Sequence, residues 1–206
     1  MKTAGTSIEV MLDKYCGEND IVTPIYPKIS NHTPRNYRGY FNILKGFNSY
    51  SNKKNIKRIK HLVKREKFYN HMSALEIKHA IGNEKWETYY KFCVEREPMD
   101  KTKSHYSMLK NRGLVHNLDD YFKKGIFANN ENIYTIDGRI IVDKIINYNN
   151  LDKELREVLL HLGIKNFQTL TVNAKKGNEE TKKINFTNNQ KEIIRNVFKN
   201  HPFTIK

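Results

Sequence analysis

An almost unbroken β-prone run, Tyr89-Tyr90-Lys91-Phe92-Cys93-Val94, leaves few folds open to this chain. A strand that is apolar on both faces has to be covered on both faces, which is the situation of a buried parallel strand with helices packed on either side. The strand is expected to end at Arg96. Pro98 then suits the first position of a helix, where a missing N–H is no loss. That helix is expected to carry Asp100, Ser104 and Met108 toward Arg112-Gly113.

The remaining segments extend the same alternation. Ile8, Met11 and Leu12 recur at helical spacing between Gly5 and Lys14, so a helix begins almost at the first residue. Ile21–Ile25, closed by Pro24 and Pro27, reads as a short strand. Residues 28–52 are rich in Asn, Ser, Gly, Pro and Tyr and read as a functional loop in which substrate contacts are expected. Lys53–Lys67 predicts a basic amphipathic helix with Ile56, Ile59, Leu62 and Val63 on its apolar face. Ser73 and Glu76 form a capping box for a helix ending at Ile81-Gly82, and Thr187 with Gln190 forms a second one for a helix over about 188–199. Leu118–Lys124 predicts a short helix. Ile133–Thr135 and Arg139–Ile146 read as strands joined at Asp137-Gly138, a two-residue hairpin signal. Asp152–Leu162, closed by Gly163, is an amphipathic helix. Residues 173–183 are polar and basic. No repeat is present, and the order of elements predicts an α/β fold for one domain over 1–206.

Composition narrows the function classes. With 38% hydrophobic residues in 206, the chain has a core without needing disulfides or a metal. Cys16 and Cys93 are isolated, and the eight histidines show no ligand spacing, so neither a disulfide framework nor a metal cofactor is expected. No run approaches the roughly 20 apolar residues of a membrane span, and the sequence reads as soluble. Lys and Arg number 37 against 22 Asp and Glu, a net charge of +15, which favours phosphorylated or polyanionic partners. An AT-rich coding sequence, rich in Lys, Asn and Ile codons, is the rival source of that excess.

Two segments carry chemistry. Lys2-Thr3-Ala4-Gly5-Thr6-Ser7 stands at the start of the first helix, where free backbone N–H groups, two hydroxyls and an ammonium are equipment for a phosphate. The lysine leads instead of following the last glycine, unlike a Walker A loop. The second segment, Arg96-Glu97-Pro98-Met99-Asp100-Lys101-Thr102-Lys103-Ser104-His105-Tyr106, puts a guanidinium at the carboxyl end of the strand and a hydroxyl in the following helix. Open α/β sheets bind ligands at that end.

Together the two segments resemble the sulfotransferases that use 3′-phosphoadenosine 5′-phosphosulfate (PAPS), above all the carbohydrate, Golgi-type branch with its 2-O enzymes and bacterial and viral relatives. The resemblance implies a P-loop-NTPase-like three-layer domain with a central, mostly parallel sheet. It also implies transfer of a sulfuryl group to a hydroxyl acceptor, a carbohydrate. Lys2 would neutralise the bridging oxygen and 5′-phosphate as the sulfuryl group leaves; Thr3, Ala4, Gly5, Thr6 and Ser7 would form the rest of that grip. Arg96 and Ser104 would hold the 3′-phosphate. His71 falls where the 2-O enzymes carry a histidine, and would take the acceptor's proton, with no metal required. Lys101 stands where family members have arginine, keeping the charge but losing the fork. Only Met1 precedes Lys2, so either the sequence is cut short at its start or the sheet lacks the family's first strand.

Two other readings stay open. A basic nucleic-acid-binding module would use the positive charge and the Tyr-rich loops, although no zinc-finger or RRM signature supports it. A nucleotide-dependent phosphotransferase would use a similar loop, against which the absence of GxxxxGK[ST] counts.

Overall fold

The computed structural model describes residues 3–45, 52–167, 181 and 183–203. In chain order its elements are α1 (Gly5–Asp13), α2 (Asn52–Val63), α3 (Ala74–Ile81), α4 (Asn83–Thr88), β1 (Phe92–Glu95), α5 (Pro98–Asn111), α6 (Leu118–Lys124), α7 (Glu131–Tyr134), β2 (Thr135–Ile136), β3 (Arg139–Ile140), β4 (Lys144–Asn147), a 3₁₀ turn (Tyr148–Asn150), α8 (Leu151–His161) and α9 (Asn188–Val197). The fold mixes helices with a short parallel sheet, in keeping with the α/β expectation. The chain divides into two compact units, one of Met1–Ile8, Phe92–Glu131 and Asp143–Lys206, the other of Glu9–Lys91 and Asn132–Val142.

The first unit is organised by β1 and β4, which pair in parallel with Phe92 opposite Lys144 and Glu95 opposite Asn147. Parallel neighbours need a crossover, and nearly fifty residues separate the two strands. Ile146 of β4 is fully buried, as are Leu155, Val158 and Leu159 of α8. Their spacing of three and four residues puts these leucines and the valine on one helix face, and α8 packs against β4 with it. On α5, Tyr106 and Leu109 join Val115 and Tyr121 in one apolar cluster. Phe186, Ile194 and Phe198 form a second, and partly buried Phe122 and Phe127 pack against both clusters. The rings meet edge to face, with Tyr121 and Phe127 centroids 5.4 Å apart, the arrangement that ring quadrupoles favour. The predicted capping box of α9 is present, with Thr187 accepting from the Gln190 amide.

In the second unit, the Ser73–Glu76 capping box starts α3 and Gly82 ends it. The hairpin also forms at the predicted dipeptide: Asp137 and Gly138 have φ of 50° and 73°, the left-handed pair of a type I′ turn between β2 and β3. Phe68, Tyr69 and Met72 are the centre of this unit's core, covered by Tyr37 and Ile77.

Five sequence expectations are corrected. Of the expected strand Ile133–Thr135, Ile133 and Tyr134 lie in α7 and only Thr135 in β2. The central strand is only Phe92–Glu95, because α4 takes in Trp86 and runs to Thr88, leaving Tyr89 exposed. Ile21–Ile25 forms no strand; Val22 makes a single antiparallel bridge to Arg35. The segment Arg139–Ile146 is not one strand. Its first two residues close the hairpin, whereas Ile145 and Ile146 pair with β1, where their apolar side chains find a parallel partner. Finally, α2 ends at Val63, ahead of Arg65 in the left-handed region at φ 55°, and exposes Ile56, Ile59 and Val63 while burying Asn55 and Arg58. The polar side of this helix is the one that packs. Of residues 28–52, the described part ahead of α2, residues 28–45, is irregular apart from the Val22–Arg35 and Arg38–Glu66 bridges. Most of 173–183 lies outside the described residues.

Candidate functional site

At the amino end of α1, Ala4 adopts a left-handed backbone, φ 59°, and its carbonyl accepts the first helical hydrogen bond, from the Ile8 amide at 3.1 Å. A helix leaves its first N–H groups without internal acceptors, and a left-handed residue followed by helical ones turns successive N–H groups into a concavity suited to an anion. Ala4 has no side-chain oxygen to occupy it. A methyl group added at Gly5 would meet nothing within 4 Å, so no packing demand explains that glycine. Lys2, the leading cation of the segment, lies outside the described residues.

Arg96 directly follows the carboxyl end of β1. Its guanidinium carbon lies 4.7 Å from the centroid of the Tyr148 ring, and Tyr148 directly follows the carboxyl end of β4. The parallel register brings about this meeting, since Glu95 and Asn147 are opposite one another. Arg96 Nε is buried and has no hydrogen-bond partner among the described residues. A buried N–H without an acceptor is costly to leave so, and an oxyanion is the natural acceptor for a guanidinium fork. Sequence reasoning missed Tyr148. The available signal was an aromatic residue one position past a β-prone segment, and only strand pairing says which residue it meets.

The start of α5 is already occupied by its own cap. Glu97 accepts from the Met99 and Asp100 amides, each at 2.9 Å, which neutralises the positive end of that helix dipole. A phosphate near this helix therefore depends on side chains instead of on its amides. Ser104, half-buried in the second turn of α5, supplies a hydroxyl.

Lys101 does not extend that grip. It is fully buried, and its Nζ donates to Glu95 Oε1 at 2.6 Å. His201 Nε2 stands 3.7 Å from the other Glu95 oxygen. Burial opposes ionisation of Glu95, but His201, Lys101 and the Arg96 amide outweigh it and hold its pKa below the usual carboxylate value. Burial lowers the Lys101 pKa, with Glu95 acting in the opposite sense. Lys101 thus spends its charge inside the core. Burial pushes the Cys93 thiol up to about 12, and the Glu95 carboxylate adds to the shift.

His71 belongs to the second unit. It is exposed, two residues ahead of the α3 cap, with a left-handed backbone at φ 65°. Desolvation of the ring lowers its pKa below the ordinary histidine value, and the Lys57 charge adds to the shift. At neutral pH the ring is therefore the neutral imidazole, able to accept a proton. Of the residues named from sequence, Thr3 to Ser7, Arg96 and Ser104 fall in the first unit and His71 in the second.

Among the described residues no three His, Cys, Asp or Glu side chains converge as a metal site would require. No helix among them is long and apolar enough to cross a membrane. Comparison with protein-family models, with curated proteins and with solved structures returns no match.

Proposed function

We propose that the protein transfers a sulfuryl group from PAPS to a hydroxyl acceptor, a carbohydrate, on a P-loop-NTPase-like domain of which β1 and β4 are the parallel strands. One observation carries this reading: Arg96, at the carboxyl end of β1, presents a guanidinium stacked on Tyr148 and an unsatisfied buried Nε. That is the ligand-binding end of a parallel sheet, and a phosphate monoester completes its hydrogen bonding. The concave backbone at Ala4 to Ser7 supports a second oxyanion grip in the same unit.

In this reading Arg96 and Ser104 hold the 3′-phosphate, and Lys2 with Thr3 to Ser7 holds the 5′-phosphosulfate. The acceptor oxygen attacks sulfur as the sulfur–oxygen bond to the 5′-phosphate breaks. The acceptor's proton passes to a general base, the role for which the resemblance nominates His71, and 3′-phosphoadenosine 5′-phosphate departs. Lys2 and the loop amides offset the charge that gathers on the leaving oxygen.

Calorimetric titration with 3′-phosphoadenosine 5′-phosphate, ATP and single-stranded DNA, repeated on Arg96→Ala, tests the proposal. The bisphosphate is expected to bind best, and the substitution to weaken it. Preference for ATP would favour a phosphotransferase, and preference for DNA a nucleic-acid module. An unchanged affinity in Arg96→Ala would remove the assignment.

A further inference from the structure

The second unit holds a small cavity between α2, α3 and the segment around Phe41, and three cationic side chains stand in its wall among the apolar Phe41, Met72 and Ala80. Lys45, Arg58 and Lys67 face it, against a single carboxylate, Glu76. That carboxylate is already committed. It accepts from the Tyr69 hydroxyl at 2.6 Å and from the Ser73 amide and hydroxyl, each at 2.7 Å.

Arg58 is the informative residue. The sequence pattern of α2 puts its apolar stripe inward, yet the helix leaves Ile56 and Ile59 in solvent and buries Arg58 to 3% exposure. A buried charged group beside exposed apolar ones is the arrangement that asks for an explanation. The guanidinium is held in place by Nη2 donating to the Lys45 carbonyl at 3.1 Å and by the Phe41 ring 5.8 Å away. His79, also on the wall, reports the local field: desolvation lowers its pKa, and Lys45, Arg58 and Lys78 lower it further.

The cavity measures about 40 Å³. At about 10–15 Å³ for each water, that is space for roughly three waters, or for one tetrahedral oxyanion, and far too little for a nucleotide. We propose that this cavity is a binding site for a single dianionic tetrahedral group, a sulfate or phosphate, held by Arg58, Lys45 and Lys67. None of these residues belongs to the nucleotide assignment, so the inference stands apart from the sulfotransferase reading.

Isothermal titration of the full chain with sodium sulfate at constant ionic strength tests it. Saturable binding with a Kd of about 1 mM or tighter is expected. Lys67→Gln and Lys45→Gln, which remove accessible cations without opening the core, should each weaken it by about tenfold. Arg58→Lys should weaken it further, and sulfate should raise the His79 pKa read by nuclear magnetic resonance. Arg96→Ala should leave sulfate binding unchanged. Binding of glucose 6-phosphate, a dianionic ester, as strong as that of inorganic phosphate assigns the site to an esterified group; exclusion of the ester assigns it to the free ion. The proposal is overturned by absence of saturable binding, by acetate binding more tightly than sulfate, or by sulfate affinity that survives both lysine substitutions and falls with Arg96→Ala.

Discussion

The guanidinium of Arg96 lies over the ring of Tyr148, 4.7 Å from its centroid, although 52 positions of sequence separate the two. Each residue is the first beyond a strand, and the parallel pairing of those strands makes them neighbours. A guanidinium held over a ring by cation–π attraction keeps its N–H groups for other acceptors.

Arg96→Ala is expected to weaken 3′-phosphoadenosine 5′-phosphate by about 10–100-fold, the worth of a charge-assisted hydrogen bond to a phosphate. Tyr148→Leu should cost less, about 3–10-fold, because it removes only the stacking. Calorimetry on the two variants gives the order, and a larger loss in Tyr148→Leu would contradict it.

Gly5→Ala is expected to leave the unfolding temperature almost unchanged, because a methyl group there meets nothing within 4 Å. Nucleotide affinity should nonetheless fall, as the methyl group intrudes where the phosphate approaches the backbone. Thermal unfolding and calorimetry on the same sample separate the two effects.

Breaking the buried Lys101–Glu95 pair with Lys101→Met should destabilise the protein by about 3–5 kcal/mol, since the buried carboxylate loses its ammonium donor. Replacing both residues by Met should recover most of that loss. Urea unfolding of the single and double variants measures it; equal losses in the two would show that the methionines pack poorly, not that the charge matters.

The Glu76 carboxylate ionises more readily in the fold than in the unfolded chain: burial opposes this, and the Tyr69 and Ser73 hydrogen bonds override it. Its contribution to stability is therefore present above the ordinary glutamate pKa of about 4.3 and disappears as pH falls through the lowered folded value. Thermal melts from neutral to acid pH should show Glu76→Gln less stable at neutral pH and less sensitive to acid than the parent. Parallel pH curves would contradict the assignment.

His71→Asn should preserve the left-handed turn, which Asn tolerates, together with nucleotide binding, and should abolish sulfuryl transfer. In the parent, transfer should rise with pH through an apparent pKa below about 6.5, because the neutral ring is the active form. Transfer by His71→Asn at the parental rate would remove the residue as base.

Local signals of the sequence came through where a few neighbouring residues suffice. The Ser73–Glu76 and Thr187–Gln190 capping boxes, the Asp137-Gly138 turn and the Pro98 start of α5 all form at the expected positions. Those features follow from hydrogen bonds and dihedral preferences that act over three or four residues.

What the chain's order of residues could not decide is which face of an element turns inward and which distant residue it meets. The period of α2 nominated Ile56 and Ile59 for the core, yet Arg58 is buried instead. Arg96 was legible as a charged strand end, but its partner Tyr148 and the burial of Lys101 against Glu95 depend on strand register and helix packing. Amphipathic spacing determines that a helix has two faces; only the shape and charge of what packs against it selects between them, because burial is an energy shared with the neighbour.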